Sequence, residues 1–253
     1  MEWRMLMLLN QDRRYHQLGS LTMQEDLRTV ARNHSFHMAE KDFFAHVDPN
    51  HRDPGDRIRG AGITDTTFGE NLAKMRGFKN VTEEAEIALM KSPGHRANIL
   101  YKDFNCVGVG VIQAKDETYY FTQNFARRFL RMTSHKLYIK YQKPITIKAK
   151  IIDAFANITI EERYKKPFTC TPKIQGDQVV FVIKLEERGR YELEFLVQPI
   201  GHEQWCVSNV VHLRAYSSIF DRFLVGVSSS STATVTSSST NLMTIEKQGS
   251  LAL

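Results

Sequence analysis

The feature that most constrains this chain is a change of patterning near residue 130. Before it, apolar residues recur at helical spacing between clear turn signals. After it, short β-rich runs follow one another with no helical stretch between them. A chain of 253 residues has room for two such regions as separate cores. The expected organisation is an α+β domain over residues 1–128, a β-sandwich over 134–216 and a tail over 224–253.

Local signals give the first region its elements. Met1 to Leu9 reads as an amphipathic first helix rather than a secretory leader, because the apolar run is short and Asn10-Gln11-Asp12-Arg13-Arg14 offers no small-residue cleavage site. Thr22-Met23-Gln24-Glu25 has the form of a capping box with Thr22 as the cap. The helix it would open sets Leu27, Val30, Ala31, His34 and Met38 on one face and ends near Glu40. Asp48-Pro49-Asn50 and Asp53-Pro54-Gly55-Asp56 are turn chemistry, which puts His46 at the start of a loop. A second helix begins at Thr82, with Glu83, Glu84 and Glu86 at the positive end of its dipole. Ser92 as N-cap and Pro93 in the first helical position open a third, with His95 in its first turn. Val107, Val109 and Val111, then Tyr119, Phe121, Gln123 and Phe125, alternate across the polar turn Gln113–Glu117 as a hairpin.

In the second region Lys136–Gln142, Ile145–Ile151, Val179–Leu185, Tyr191–Val197 and Trp205–Leu213 are the strand candidates, a pattern that suggests an Ig-like sandwich. Cys170 and Cys206 could bridge its two sheets in an oxidising compartment, although Trp205 beside Cys206 does not reproduce an antibody Cys–Trp–Cys order. Cys106 reads as a small buried apolar residue. The Ser/Thr-rich segment beyond Phe223 lacks the apolar surface needed to offset its ordering entropy and is expected to be disordered. No apolar run approaches the ~20 residues of a membrane-spanning helix. The formal charge of +6 comes from scattered Lys and Arg, with Arg127, Arg128 and Arg131 the tightest group. That charge suits weak attraction to anionic membranes or glycans, and no nucleic-acid-binding motif accompanies it.

Four segments of the first region resemble the CAP superfamily (the SCP domain), and its compact prokaryote-type branch in particular. They are Phe43-Phe44-Ala45-His46-Val47-Asp48-Pro49, Gly69-Glu70-Asn71-Leu72-Ala73, Ser92 to Leu100 with His95 at its centre, and Val107 to Val111 followed by Tyr119 to Phe125. The resemblance implies an α-β-α sandwich with a surface cleft where two His and two acidic residues meet. By motif the His positions fall on His46 and His95 and the first acidic position on Glu70. The second acidic position falls near Ser92, where no carboxylate stands; Glu86 or Glu83 could substitute, depending on helix phase. The resemblance also implies a secreted, extracellular protein and a lipid, sterol or glycan ligand, and it does not extend into the second region.

Read from chemistry alone, His46, His95 and Glu70 are a candidate metal site: neutral imidazoles suit Zn²⁺, and a carboxylate can ligate the ion or orient an imidazole. The plainer alternative is that these groups only tie a loop to a helix start. Ser92 is a poor nucleophile candidate, having a cap to form and no oriented acid. His34 and His37 lack the acidic companions of a di-metal motif. Asp48, Asp53 and Asp56 are explained by loop capping as well as by calcium. Three N-x-S/T triplets, at Asn33, Asn80 and Asn157, matter only in a secretory pathway. The leading function is a non-enzymatic binding module with a His/Glu cleft. The alternatives are a metal-assisted hydrolase using His46, His95 and Glu70, and an adhesion or scaffold protein acting through the sandwich.

Overall fold

A computed structural model of the chain describes residues 1–134 and 138–217. The expected tail at 224–253 lies outside the described residues, as does the start of the strand expected at Lys136. The described residues divide into two compact units, the first over Met1–Ile63 and Thr67–Arg127, the second over Thr64–Thr66 and the described residues from Arg128 to Ser217.

The first unit is built from α1 (Glu2–Tyr15), β1 (Thr22–Met23), α2 (Glu25–Lys41), α3 (Pro54–Gly60), β2 (Thr67–Met75), α4 (Val81–Lys91), α5 (Pro93–Ile99), β3 (Cys106–Gln113) and β4 (Tyr119–Arg127). Its sheet has the order β1-β3-β4-β2, which leaves β2 as a free edge. Alternation along β3 and β4 separates the two faces. Val107, Val109, Phe121 and Phe125 join Met5 and Leu9 of α1, Val81, Ala85 and Leu89 of α4 and Ile99 of α5 in one core. The opposite face carries Gly108 and Gly110, where a Cβ would stand 2.1 Å and 2.3 Å from the backbone of Leu27 and Ala31. Only glycine lets α2 lie this close to the sheet. The layering is therefore helix, sheet, helix.

Two expected caps are replaced. The helix expected to start from Thr22 has Gln24 at its N-cap, with no side-chain capping bond. Thr22 cannot serve because its N–H donates to Asn105 O at 3.0 Å as the chain pairs in parallel with β3. Ser92 does occupy the N-cap of α5, but its side chain makes no capping bond; the same residue also ends α4. The carbonyls at the far end of α5 are met by buried Arg13, which donates to Ile99 O, Tyr101 O and Phe104 O at 2.7–3.1 Å. Cys106 is fully buried, as its apolar reading expects.

The second unit contains β5 (Leu130–Ser134), β6 (Tyr138–Lys140), β7 (Ile145–Ile151), β8 (Phe155–Glu162), β9 (Phe168–Gln175), β10 (Gln178–Leu185), β11 (Gly189–Pro199) and β12 (Cys206–Tyr216). They form two four-stranded sheets, β5-β7-β10-β9 and β6-β12-β11-β8. All pairs are antiparallel except β6 with β12. Ile147, Phe181, Ile183 and Leu185 of one sheet share a core with Leu193, Phe195, Val197 and Leu213 of the other. Phe181 and Phe195 meet edge to face, 4.9 Å between ring centroids. Arg128 and Asp65, both buried, form an ion pair inside this unit. Cys170 on β9 and Cys206 on β12 stand on different sheets, and both are thiols in the structure.

Candidate functional site

The site assembles around the free edge strand of the first unit. Consecutive residues on β2 point to opposite faces, so Glu70 and Asn71 serve different sides of the sheet. On the α2 side, Glu70 is clamped at both oxygens: Oε1 accepts from His46 Nδ1 at 2.8 Å and Oε2 from Arg57 at 2.7 Å. Burial alone would raise the Glu70 pKa; the His46 bond and the Arg57 charge reverse that and hold the carboxyl below its ordinary value. Arg57 is supplied by α3, whose start is a capping box between Asp53 and Asp56 with Pro54 in the first turn. The same guanidinium donates to His46 O at 2.7 Å and Arg52 O at 2.9 Å, gripping the loop that carries His46.

His34, fully buried on α2, grips the loop from behind. Its Nε2–H donates to Ala45 O at 3.1 Å, since a carbonyl can only accept. Burial chiefly pushes the His34 pKa down to about 4, so this imidazole is neutral across the physiological range. His46 is thus held by its carbonyl, by its neighbour's carbonyl and by Nδ1. Nε2 is its remaining ring nitrogen, on a side chain 33% exposed.

On the other face, Asn71 Nδ2 donates to His95 O at 3.0 Å and to Gln123 Oε1 at 3.1 Å. Gln123 in turn donates to Glu86 Oε2 at 2.9 Å, and Asn98 donates to Glu70 O and Asn71 Oδ1. These amides position α5 and hence His95 in its first turn. His95 is buried, and its Nδ1 has no hydrogen-bond partner. Burial first, and then the nearby His46, lower its pKa, keeping the ring in the neutral form that metals bind. A shallow cleft beside it is lined by Leu72, Ala73, Lys74, Met75, Ala88 and Leu89.

The structure thus joins His46 to Glu70 directly and brings His95 within electrostatic reach of His46. Neither substitute acid is part of the pair. Glu83 lies on the surface against Arg4, and Glu86 is buried under the sheet on Gln123. Among the described residues no three His, Cys, Asp or Glu side chains gather as a metal cage. Asp48 accepts from the backbone of Asn50 and Arg52 and from the Arg52 side chain, so it and the Asp53–Asp56 pair shape the loop and the α3 start. His34 and Arg57, which hold the candidate site, lie outside the motif segments, while Asn71, Asn98 and Gln123 lie within them without being singled out. For Arg57 and His34 no local signal exists, because their roles arise only when the loop closes over α2 and α3.

A three-layer α+β domain with a His-Glu pair at the edge strand, next to a helix N-terminus bearing a second His, is the class this geometry defines. Residues 6–125 match the family model of the cysteine-rich secretory protein family, CAP. The first unit is a CAP domain. The uncharacterized protein YkwD of Bacillus subtilis is 36% identical over 113 residues, 45% of this chain and 43% of that protein. The uncharacterized membrane protein YlbC of the same organism is 33% identical over 129 residues, 51% of this chain and 35% of that protein. The chain therefore spans less than half the length of either relative. An extracellular SCP-domain protein of Bacillus anthracis is 29% identical with a TM-score of 0.44, covering 50% of this chain and 40% of that one. A cysteine-rich secretory protein of Staphylococcus aureus is 18% identical with a TM-score of 0.39, covering 50% and 38%.

Proposed function

We propose that the CAP domain is a non-enzymatic binding module whose cleft holds a divalent cation between His46 and His95 beside a lipid or glycan ligand. The observation that carries this reading is the clamping of Glu70. With one oxygen on His46 and the other on Arg57, the carboxylate orients an imidazole rather than serving as a free base or a ligand. Two imidazoles, that of His95 with a buried unpartnered nitrogen, fit a borderline-soft ion such as Zn²⁺. When bound, the ion would supply Lewis acidity and a coordination point for an oxygen of the ligand. Ala73, Met75, Ala88 and Leu89, which line the cleft beside His95, suit the ligand's non-polar part. An extracellular location belongs to the same proposal, following from the secretory family; no described helix is long and apolar enough to cross a membrane.

One observation favours a hydrolase as the second reading. A carboxylate on His46 Nδ1 is the arrangement that orients a general base. It needs a second group at the cleft, and Ser92 has no hydrogen bond linking it to either imidazole.

For the second unit we propose an Ig-like sandwich. The sheet orders β5-β7-β10-β9 and β12-β11-β8 support it, because in chain order they correspond to the ABED and GFC sheets of that fold. Tyr191 near the start of β11 supports it too: its hydroxyl donates to Glu187 O at 3.1 Å and accepts from Glu187 N–H at 2.9 Å, as in a tyrosine corner.

Zn²⁺ titration by calorimetry on wild type and His46→Ala/His95→Ala tests the cleft. Saturable binding near one ion per chain, abolished in the double variant, is the expected result. Binding that survives the substitutions, or no binding, would remove the metal and leave a cleft for organic ligand alone.

A further inference from the structure

The two sheets of the second unit differ in what they show to solvent. The strands β5, β7, β9 and β10 contain Arg131, Lys148, Lys150, Lys173 and Lys184 and not one Asp or Glu. The strands β6, β8, β11 and β12 set Glu161, Glu162, Glu192 and Glu194 against Lys140, Arg190 and Arg214. Strand alternation places all five cations of the first sheet on its outer face, since Ile147, Ala149, Val179, Phe181, Ile183 and Leu185 turn inward.

Register assembles them into rows. Arg131 stands opposite Lys150, and Lys150 opposite Gln178. Lys148 and Lys173 flank Val180 from its two sides. Thr146 and Thr171 flank Val182, and Lys184 faces Thr169. Lys150 and Lys184 reach carboxylates only at the rim, Asp177 at 3.6 Å and Glu186 at 3.1 Å. Among the described residues no carboxylate lies within ion-pair distance of Arg131, Lys148 or Lys173.

Like charges set directly across a ladder oppose folding. The other sheet also sets Arg190 opposite Arg214, but its strands carry Glu161, Glu192 and Glu194 as well, so that sheet mixes both signs of charge. Lysines on edge strands guard against aggregation. That role does not account for Lys148, Lys150 and Lys184, which stand on the interior strands β7 and β10. A charge pattern that costs stability and protects no edge fits a surface shaped for a partner.

We propose that the outer face of the β5-β7-β10-β9 sheet binds a linear anionic glycan. Lysine positions about 7 Å apart along the backbone of β7, and roughly 10 Å apart between Lys148 and Lys173 two strands away, present repeated charges to a chain laid across the sheet. Thr146, Thr169 and Thr171 add hydroxyl donors and acceptors for sugar hydroxyls. Val180 and Val182 supply a low apolar strip for the face of a ring. The aromatic side chains of these strands, Phe168 and Phe181, pack on the core, so the outer face has neither a platform for stacking nucleobases nor a wedge for entering a bilayer.

The test is fluorescence anisotropy of a labelled heparin oligosaccharide with the full chain. Neutral dextran, phosphatidylglycerol/phosphatidylcholine vesicles and single-stranded DNA are the comparison probes. Wild type is expected to bind the oligosaccharide with an affinity that falls as salt rises, and to leave dextran unbound. Lys148→Gln/Lys173→Gln should weaken binding by roughly tenfold or more, while Arg190→Gln/Arg214→Gln on the other sheet leaves it unchanged. Equal loss in both double variants would reduce the effect to net charge and overturn the proposal. So would absence of oligosaccharide binding at low salt, or binding confined to vesicles or to DNA. Unchanged urea midpoints in both variants exclude unfolding as the cause of any loss.

Discussion

The two units bury different things. The first carries a connected set of polar groups inside, running from Glu86 through Gln123 and Asn71 to Asn98 and the His95 carbonyl, with Glu70, Arg57 and His34 across the sheet. The second packs an apolar core between its sheets and buries a smaller polar cluster, in which Arg128 pairs with Asp65 and Asn209 bonds Thr64 and Leu130 O. Burying polar groups is costly unless each finds partners, so a fold retains them where they position something. By that measure the first unit's buried polar groups position its candidate site, whereas the second unit's fasten Thr64–Thr66 to β12.

This contrast can be broken at several strengths. The largest expected effect is Gly108→Val, which drives a side chain into the α2 backbone; the first unit should lose protection throughout β3 and β4 in hydrogen exchange, at a cost of several kcal/mol. Phe181→Ala, the corresponding injury to the apolar core, should lower stability by about 3–5 kcal/mol in urea unfolding. Arg57→Met leaves the Glu70 carboxylate buried beside His46 alone and should cost about 3–5 kcal/mol as well. If that loss were below ~1 kcal/mol, the network would be ornamental and the contrast would fail.

The pH dependence sharpens the same point. His34 binds a proton near 6.5 when unfolded and near 4 when folded, so below 6.5 the unfolded chain takes up more protons. Stability is complete above pH 6.5 and falls by roughly 3 kcal/mol as pH drops through 4, a decline that His34→Gln should flatten. Glu86 runs the other way: burial pushes its pKa up to about 8, so its stabilising effect is complete below 4.5 and fades as pH rises through 8. Above the His34 window, from pH 6.5 to pH 8, Glu86→Gln should therefore hold its urea midpoint where wild type declines. The smallest effect belongs to Lys148→Gln, within about 0.5 kcal/mol, as expected for a residue that acts only at the surface.

How much of this was legible in the sequence follows from whether a signal is local. The α4 and α5 starts, the β3–β4 hairpin and the positions of His46, Glu70 and His95 rest on spacing within short segments, and the chain folds as those segments read. The capping box at Thr22 was overridden because the sheet claimed the backbone N–H that the box requires. β8 and β9 escape pattern reading since their exposed edges carry Thr, Asn, Lys and even Pro172 in place of clean alternation. Glu86 was half visible: it lies on the stripe of Thr82, Ala85 and Leu89, which marks a buried position, but its place near the helix start made the dipole a sufficient explanation. The pairing of Arg57 with Glu70, and of His34 with Ala45, depends on chain closure that no window of sequence contains.

One consequence follows from the edge strand. Glu70 and Asn71 are neighbours in the chain, and the pleat sends one to each side of the sheet. A slip of β2 by a single position against β4 would set Asn71 between His46 and Arg57 and Leu72 against Gln123, or, in the other direction, Gly69 and Glu70 in those two places. Both halves of the cleft would be lost together. The register of this one strand is thus a single-bit lock on the site: insertions or deletions in the segment that feeds it cannot be partly tolerated, whereas substitutions at its exposed positions are free to drift.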